Sequence, residues 1–394
     1  MQRTHRFCLI VILLGCVLTG LSLAQWSDQA GDNLCLADQA GDQVLPKIAV
    51  TVDDGCYIGW FNNNSGNYDV YLQRLDTDGN EMWGHNGIEI SGHPQESYIT
   101  DWDLMTDSAG NAVLVFADNR NGTGFDIVAY RISPAGDFLW GADGISVTSN
   151  SDFEPSPCVT ETLGGEFMVA WGRSLPSGDG KIYLQKISAA GEIGFAQGGI
   201  PIAGSAGKSA GFPDAIPDQT GGIIVSWVED LSLYSTPRYL YCESFNADGT
   251  SAWGGRVTIF DLWSLPMGYA PKLESDGFGG AVFVWHYSAP NLYTSAVQRV
   301  THAGTITLPH NGVTVSTSMT HHHISPTMSF DPDSGDFFLF WDERTSAQSQ
   351  WGLYCQRISA AGDRLWGSSG KMLQPVTSLY KNTFRSVICG DGAI

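Results

Sequence analysis

Short apolar runs bounded by Gly, Asp, Asn and Pro recur along the whole chain, and no stretch carries a helical period of useful length. Such runs read as β-strands. They come in sets of four. A Pro-led strand a, as in Pro271-Lys272-Leu273, runs into a Gly-rich turn. Strand b ends in a large aromatic, as in Gly279-Gly280-Ala281-Val282-Phe283-Val284-Trp285. A variable loop leads to strand c, which carries Gln-Arg (Ala296–Val300). A Gly turn then leads to strand d, Val313-Thr314-Val315.

The set repeats. The turn glycines after strand c are Gly79, Gly136, Gly191, Gly249, Gly304 and Gly362, separated by 57, 55, 58, 55 and 58 residues. Four residues after each comes a bulky apolar side chain: Trp83, Trp140, Phe195, Trp253, Leu308 and Trp366. Four further on stands a second Gly (Gly87, Gly144, Gly199, Gly312, Gly370), except where Val257 replaces it. Six residues before each turn Gly sit Gln73, Tyr130, Gln185, Glu243, Gln298 and Gln356. A second ladder, Trp60, Phe116, Trp171, Trp227, Trp285 and Trp341, ends the b strands at separations of 56, 55, 56, 58 and 56 residues. Four short strands per long period predict an all-β fold, a β-propeller whose blades are set radially. The period exceeds the roughly 40–50 residues of WD40 and kelch blades, which implies longer loops, and far exceeds that of a parallel β-helix.

The blade boundaries read approximately 46–93, 94–150, 151–205, 206–261, 262–318 and 319–378. A seventh blade is expected to be split, residues 26–45 with 379–394. Cys35 precedes Pro46 by 11 residues, the same gap as Ile202 to Pro213, so Asn33–Leu36 reads as an outer strand. Asn382–Ile394 restarts strand a and an Asp-Gly turn, so strand b is expected to run on past residue 394 towards its Trp. Splitting one blade between the termini removes exposed sheet edges.

Residues 1–24 have a basic start at Arg3 and Arg6, an apolar run Phe7–Leu23, and Ser22-Leu23-Ala24 before Gln25. This is the layout of a removed signal peptide and predicts a secreted or cell-surface protein with no membrane span after processing. Leu13-Leu14-Gly15-Cys16 also fits a lipobox, the alternative being lipid anchoring at Cys16. Export permits disulfides among Cys35, Cys56, Cys158, Cys242, Cys355 and Cys389, but a chain of this size can bury a core without them. The 20 Lys and Arg against 41 Asp and Glu give a net charge of −21, which argues against nucleic acid and anionic membranes as partners.

The QRI-x-x-x-G phrase, the W-x-x-x-G turn and the Trp-acid-Arg pieces resemble repeats in uncharacterised exported bacterial proteins of β-propeller type. The resemblance covers about residues 33–394. It implies a propeller and export, and many members of that group end in a type IX secretion sorting domain; none is visible here. It says nothing of activity.

Candidate chemistry lies in the loops at the channel mouth. Arg120, Arg173 and Arg344 follow the b-strand aromatic by two to four residues, and three arginines around a channel could clasp a carboxylate. Sialidases, also propellers, use such a triad. Their Ser-x-Asp-x-Gly-x-x-Trp turn is not matched by Ser359-Ala360-Ala361-Gly362-Asp363-Arg364-Leu365-Trp366, and Arg-to-acid pairing within blades is the plainer reading. Trp263 and Tyr269, among polar loop residues, suit stacking on a sugar face. His321-His322-His323 is the densest histidine cluster, although adjacent imidazoles seldom face one ion. No metal or other cofactor is expected; calcium at the Asp-Gly turns Asp76–Asn80 and Asp331–Asp336 is the alternative, without the spacing of a calcium loop. No G-x-S-x-G, H-E-x-x-H or P-loop occurs. The sequence therefore points to a non-enzymatic recognition or scaffold protein with a glycan or protein ligand. The alternative is a carbohydrate-active enzyme, a glycoside hydrolase or lyase, with channel-facing carboxylates. Two or three acids converging in the channel would separate the two. The oligomeric state is not legible.

Overall fold

The b strands are apolar on both faces. Ala112–Asp118 and Ile223–Asp230 are buried along their whole length, as a strand covered on both faces by neighbouring sheets must be. The structure, a computed structural model, describes residues 33–95, 101–122, 124–205, 207–230, 235–267, 270–380, 385–389 and 392–393. The expected signal segment, Trp26 and Tyr269 lie outside the described residues. No helix occurs among those described, and so none long and apolar enough to cross a membrane.

The chain is an all-β propeller. Six antiparallel four-stranded sheets follow one another, each in the order a-b-c-d. Blade 5 is typical: Lys272–Ser275, Ala281–Ala289, Leu292–Val300 and Val313–Thr314. The six inner strands are Gln43–Val50, Asp103–Thr106, Cys158–Glu161, Ser209–Pro217, Lys272–Ser275 and His322–Asp331. Those of blades 1 to 5 touch in succession. That of blade 6 packs on blade 5 and on a last two-stranded sheet, Ile388–Cys389 with Gly392–Ala393. Blades 3 and 4 are further joined by a single parallel bridge, Gly180 to Ser209. Five apolar clusters fill the five interfaces from blade 1 to blade 6.

The repeated residues are the ones that build a blade. The b-strand Trp faces a Tyr across the b–c ladder: Trp60 with Tyr71, Trp171 with Tyr183 and Trp341 with Tyr354, ring centroids 6.0, 5.9 and 6.1 Å apart. The c-strand Gln is fully buried and clamps the c–d loop. Gln298 Nε2 donates to Leu308 O (3.3 Å) and Pro309 O (2.9 Å), and its Oε1 accepts from Arg299 N (2.9 Å) and Leu308 N (3.0 Å). Gln73, Gln185 and Gln356 do the same. The Arg after this position, which Tyr130 fills in blade 2, reaches the acid of the a–b turn: Arg299 to Asp276 (2.8 Å), Arg131 to Asp107 (2.7 Å), Arg357 to Asp336 (2.6 Å). The loop so held lies directly on the Trp. Gly312 has φ +79°, and a Cβ there would stand 2.4 Å from Val297 O and 2.8 Å from the Trp285 ring, so only Gly fits. The Trp after the turn locks blade to blade. Trp83 Nε1 donates to Pro134 O (3.2 Å), Trp140 Nε1 to Ala189 O (3.2 Å) and Trp253 Nε1 to His302 O (2.8 Å), each carbonyl lying in the next blade.

One expectation is corrected. Residues 33–39, the expected outer strand Asn33–Leu36 among them, form no strand and pair with none of the described strands. They still run where a preceding outer strand would. Asp38 N donates to Asn86 Oδ1 (2.8 Å), and His85 lies 3.3 Å from Asp38, as Asp261 N donates to Asn311 Oδ1 (2.8 Å) with His310 2.8 Å from Asp261.

Replacing Gln298 by Leu strands its buried loop partners. We expect a loss of about 3 kcal/mol, with loss of a buried hydrogen-bonding group costing about 1–3 kcal/mol. Gly312→Ala should cost more than Gly66→Ala, where no atom lies within 4 Å of the added Cβ. Urea unfolding monitored by Trp fluorescence measures both; equal midpoints for the two Gly variants would refute the packing argument.

Candidate active or binding site in the central channel

The residue after the proline position of strand a recurs with the repeat. It is Lys47, Asp103, Cys158, Asp214, Lys272, Thr327 and, in the last segment, Arg385, at separations of 56, 55, 56, 58, 55 and 58 residues. Alternation along the strand buries the next residue between blades, as for Leu104, Val159, Leu273 and Met328. The residue before it is left towards the axis. All seven line one cavity of about 370 Å³ on that axis, together with Trp102, Phe212 and Glu274.

Two of the carboxylates bind inner strands to each other. Asp103 Oδ1 accepts from its neighbour Leu104 N (2.9 Å) and Oδ2 from Val159 N of the next blade (3.0 Å). Asp214 likewise accepts from Ala215 N (2.9 Å) and from Leu273 N of the next blade. Lys47 Nζ pairs with Asp101 (3.0 Å) at the mouth, and Trp102 Nε1 donates to Leu45 O (3.0 Å). Ser329 Oγ donates to Ser386 Oγ (2.9 Å), joining blade 6 to the last segment. Glu274 lies one step further along the channel from Lys272.

Burial dominates the electrostatics. It pushes Asp214 up to about 7, with Asp103's charge adding to it, and pushes Asp103 up as well. Burial also pushes Glu274 up to about 7, against the pull of Lys272. Lys272 is brought down to about 8 by burial and by Arg385. The Cys158 thiol is pushed well up by burial, which leaves it an inert lining group. Carboxyls that titrate near neutrality in a concave site can accept hydroxyl hydrogens when charged and donate a proton when neutral.

The sequence candidates stand elsewhere. Arg120 holds Asp118 (2.6 Å) through Nε and Nη2 and also bonds Tyr130 Oη and Asp143 O. Arg173 holds Asp152 (2.7 Å) with Glu154 at 3.6 Å, and Arg344 holds Asp342 (2.6 Å). Each arginine closes on a carboxylate of its own blade, and the structure does not bring the three to one ligand. Trp263 is 43% exposed beside Ser264, which lines a second cavity of about 390 Å³ with Arg238, His286 and Tyr293. The three histidines diverge. His321 and His323 face Glu343 at 3.2 and 3.5 Å, while His322 accepts from Tyr293 N and turns its other nitrogen to Ser346 O. Burial takes His323 down to about 4 and so keeps it neutral. No group of three metal-ligating side chains occurs among the described residues. Asp76 and Asp331 direct their carboxylates at donors of their own turns. Cys35, Cys56, Cys158, Cys242 and Cys355 are free thiols. The channel ring is the candidate site that sequence reasoning missed: its signal is a charged or hydroxyl side chain after the strand-a proline position, with Cys158 the exception.

No family model and no curated protein matches the chain. Among solved structures it is similar to an α-L-arabinofuranosidase of Fusarium graminearum, at 10% identity over 80% of this chain and 93% of that one, with a TM-score of 0.47. It is also similar to an α-L-arabinanase of Penicillium chrysogenum, at 11% identity over 81% and 93%, TM-score 0.47. A Dyadobacter fermentans protein of unknown function matches at 9% identity over 78% and 92%, TM-score 0.44. The propeller rests on the sheets and channel described above, and nothing of these proteins' chemistry passes to this chain.

Burial raises Glu274 above the ordinary carboxyl value of about 4, so folding favours its protonated form. The stability this gives is full below about pH 4 and is lost as pH rises through about 7. The wild-type protein should therefore lose thermal stability relative to Glu274→Gln between pH 5 and 8. Melting curves of the two that stay parallel over that range would overturn the placement of this carboxyl.

Proposed function

We propose that this is an exported recognition protein that binds a glycan in its central channel. The observation that carries the reading is the composition of one cavity shared by seven chain segments. Asp103, Asp214 and Glu274 are acceptors for hydroxyls, Lys272 and Arg385 are donors, and the Phe212 ring adds an apolar face. Sugars need both kinds of contact. Recognition is favoured over catalysis because Asp103 and Asp214 already hold neighbouring inner strands through backbone N–H groups. The basic-then-apolar segment at residues 1–24 supports export. Glycan-array binding followed by calorimetry tests the reading. Phe212→Ala and Glu274→Gln should each weaken the best glycan about tenfold, the loss of roughly one good polar or stacking contact. An array on which the wild type binds nothing, or variants that bind like wild type, would sink it.

A second reading is favoured by one specific observation. Asp214 and Glu274, on the inner strands of adjacent blades, both titrate at about 7. One protonated and one ionised carboxyl is the equipment of glycoside hydrolysis. On that reading the wild type releases reducing sugar from some member of a broad polysaccharide panel. Its rate falls above about pH 7 as the acid loses its proton, and Glu274→Gln abolishes it. No release from any polysaccharide by the wild type would leave recognition alone standing.

A further inference from the structure

Lys272 and Glu274 stand two residues apart on the inner strand of blade 5, with Leu273 between them buried in the blade interface. Alternation turns both side chains to the axis, their Cα atoms about 7 Å apart at about 3.4 Å of rise per residue. Both line the cavity of about 370 Å³. Asp214 on the neighbouring inner strand accepts from Leu273 N, so a second carboxyl lies beside the pair. Other lysines are held as ammonium groups: Lys47 by Asp101, Lys186 by Glu166 and Lys208 by Glu229, at 3.0, 3.2 and 3.3 Å. Lys272 differs. Burial and Arg385 outweigh the pull of Glu274 and bring it down to about 8. About one such amine in ten is uncharged at pH 7, against roughly one in two thousand for an ordinary lysine.

A desolvated amine beside another cation is a nucleophile towards carbonyl carbon. Glu274, titrating at about 7, supplies a proton in the same pH range. The Cys158 thiol, pushed well up by burial, does not compete. We propose that the channel captures small aldehydes covalently, with Lys272 as the nucleophile and Glu274 as the acid. The Lys272 lone pair bonds to the carbonyl carbon, and the proton that the nitrogen releases goes to the carbonyl oxygen, giving a carbinolamine. Glu274 then protonates the hydroxyl, which leaves as water while the nitrogen lone pair closes the C=N bond. The iminium returns its N–H proton to the Glu274 carboxylate. Amine and aldehyde thus become imine and water, with no oxidant or reductant. The aldehyde is a free short-chain hydroxyaldehyde or the open-chain reducing end of a sugar. Capture of this kind does not require the channel to be a glycan seat.

The test is reductive trapping on the full chain. The protein is incubated with glycolaldehyde and saturating sodium cyanoborohydride, so that imine formation sets the rate, and lysine adducts are mapped by peptide mass spectrometry. At pH 7 Lys272 should be labelled at least about tenfold faster than Lys47, Lys186 or Lys208, given its larger uncharged fraction. The charged groups facing it are Glu274 on its own strand, Asp214 from blade 4 and Arg385 from the last segment, while Thr327 of blade 6 carries no charge. The ratio of Lys272 to Lys186 labelling should fall from pH 8 to 10, where ordinary lysines lose their protons as well. Lys272→Arg should abolish the dominant adduct, and the wild-type map decides even if that variant misfolds. Glu274→Gln removes a charge that favours the ammonium form, so by charge alone it would speed labelling. Slower labelling identifies the acid, and faster labelling overturns that role. Cellobiose and its alditol run in parallel: adducts from glycolaldehyde alone name free aldehydes as the source, and adducts from cellobiose name reducing ends. Adducts spread evenly over the lysines, or a ratio that does not change with pH, overturn the capture. Capture of glycolaldehyde by a protein that binds nothing on a glycan array keeps this site and sinks only the glycan reading.

Discussion

The close approach of the c–d loop to the b-strand aromatic is the constraint on which the blade depends. The loop can lie on Trp285 only because Gly312 has no Cβ, and it stays there because the buried Gln298 bonds it at Leu308 and Pro309. With the loop fixed, the outer strand follows in register. The residue after the turn is then delivered to the neighbouring blade, as Trp253 is to His302 O. One buried amide, one Gly and two aromatics thus set both the fold of a blade and its contact with the next. A buried polar side chain is costly unless all its partners are met. The same requirement makes the Gln specific for this loop and no other.

Because the outer three strands are fixed so firmly, the inner strand is free of that duty and carries the variation. Its apolar residues enter the blade interfaces, and its axial residues differ from blade to blade. Where the axial residue is Asp it has acquired a structural task, accepting an N–H from the next inner strand at Val159 or Leu273. Lys47 pairs instead with Asp101 at the mouth. The ring thus sets positions that tie one inner strand to the next beside positions that face the cavity.

This division explains what the sequence made legible. The ladders of Gln, Gly and Trp were readable because each copy answers the same geometric demand, and identical demands leave identical residues. Tyr130 and Glu243 break the Gln ladder without breaking the fold, since Tyr130 stacks on Phe116 and Glu243 bonds Ser251. The channel ring has the same spacing but no common residue, so a search for repeated letters passes over it. The arginines drew attention for the opposite reason. They are conspicuous, yet Asp118 and Asp342 stand two residues before Arg120 and Arg344, and a local partner of that kind takes the charge before any ligand can. Asn33–Leu36 has strand spacing without a strand because spacing places a segment, while a strand also needs a neighbour to bond.

Packing also marks where the six described blades meet one another and where they do not. Six blades closed on themselves would require a sixth apolar interface, between blade 6 and blade 1. Among the described residues there are five clusters, and Ile48, Val50 and Val52 on the inner strand of blade 1 and its turn remain exposed. Ser386, bonded to Ser329 of blade 6, and Arg385 both line the cavity beside that blade. The row of axial residues thus runs on into the last segment, where Arg385 lines the cavity with Lys272. Asp103 and Asp214 cannot change without loosening the inner strands. Lys272 and Glu274 instead face the cavity and each other's charge. On the proposed reading of the channel as a glycan seat, selectivity would therefore rest with Lys272 and Glu274 of blade 5.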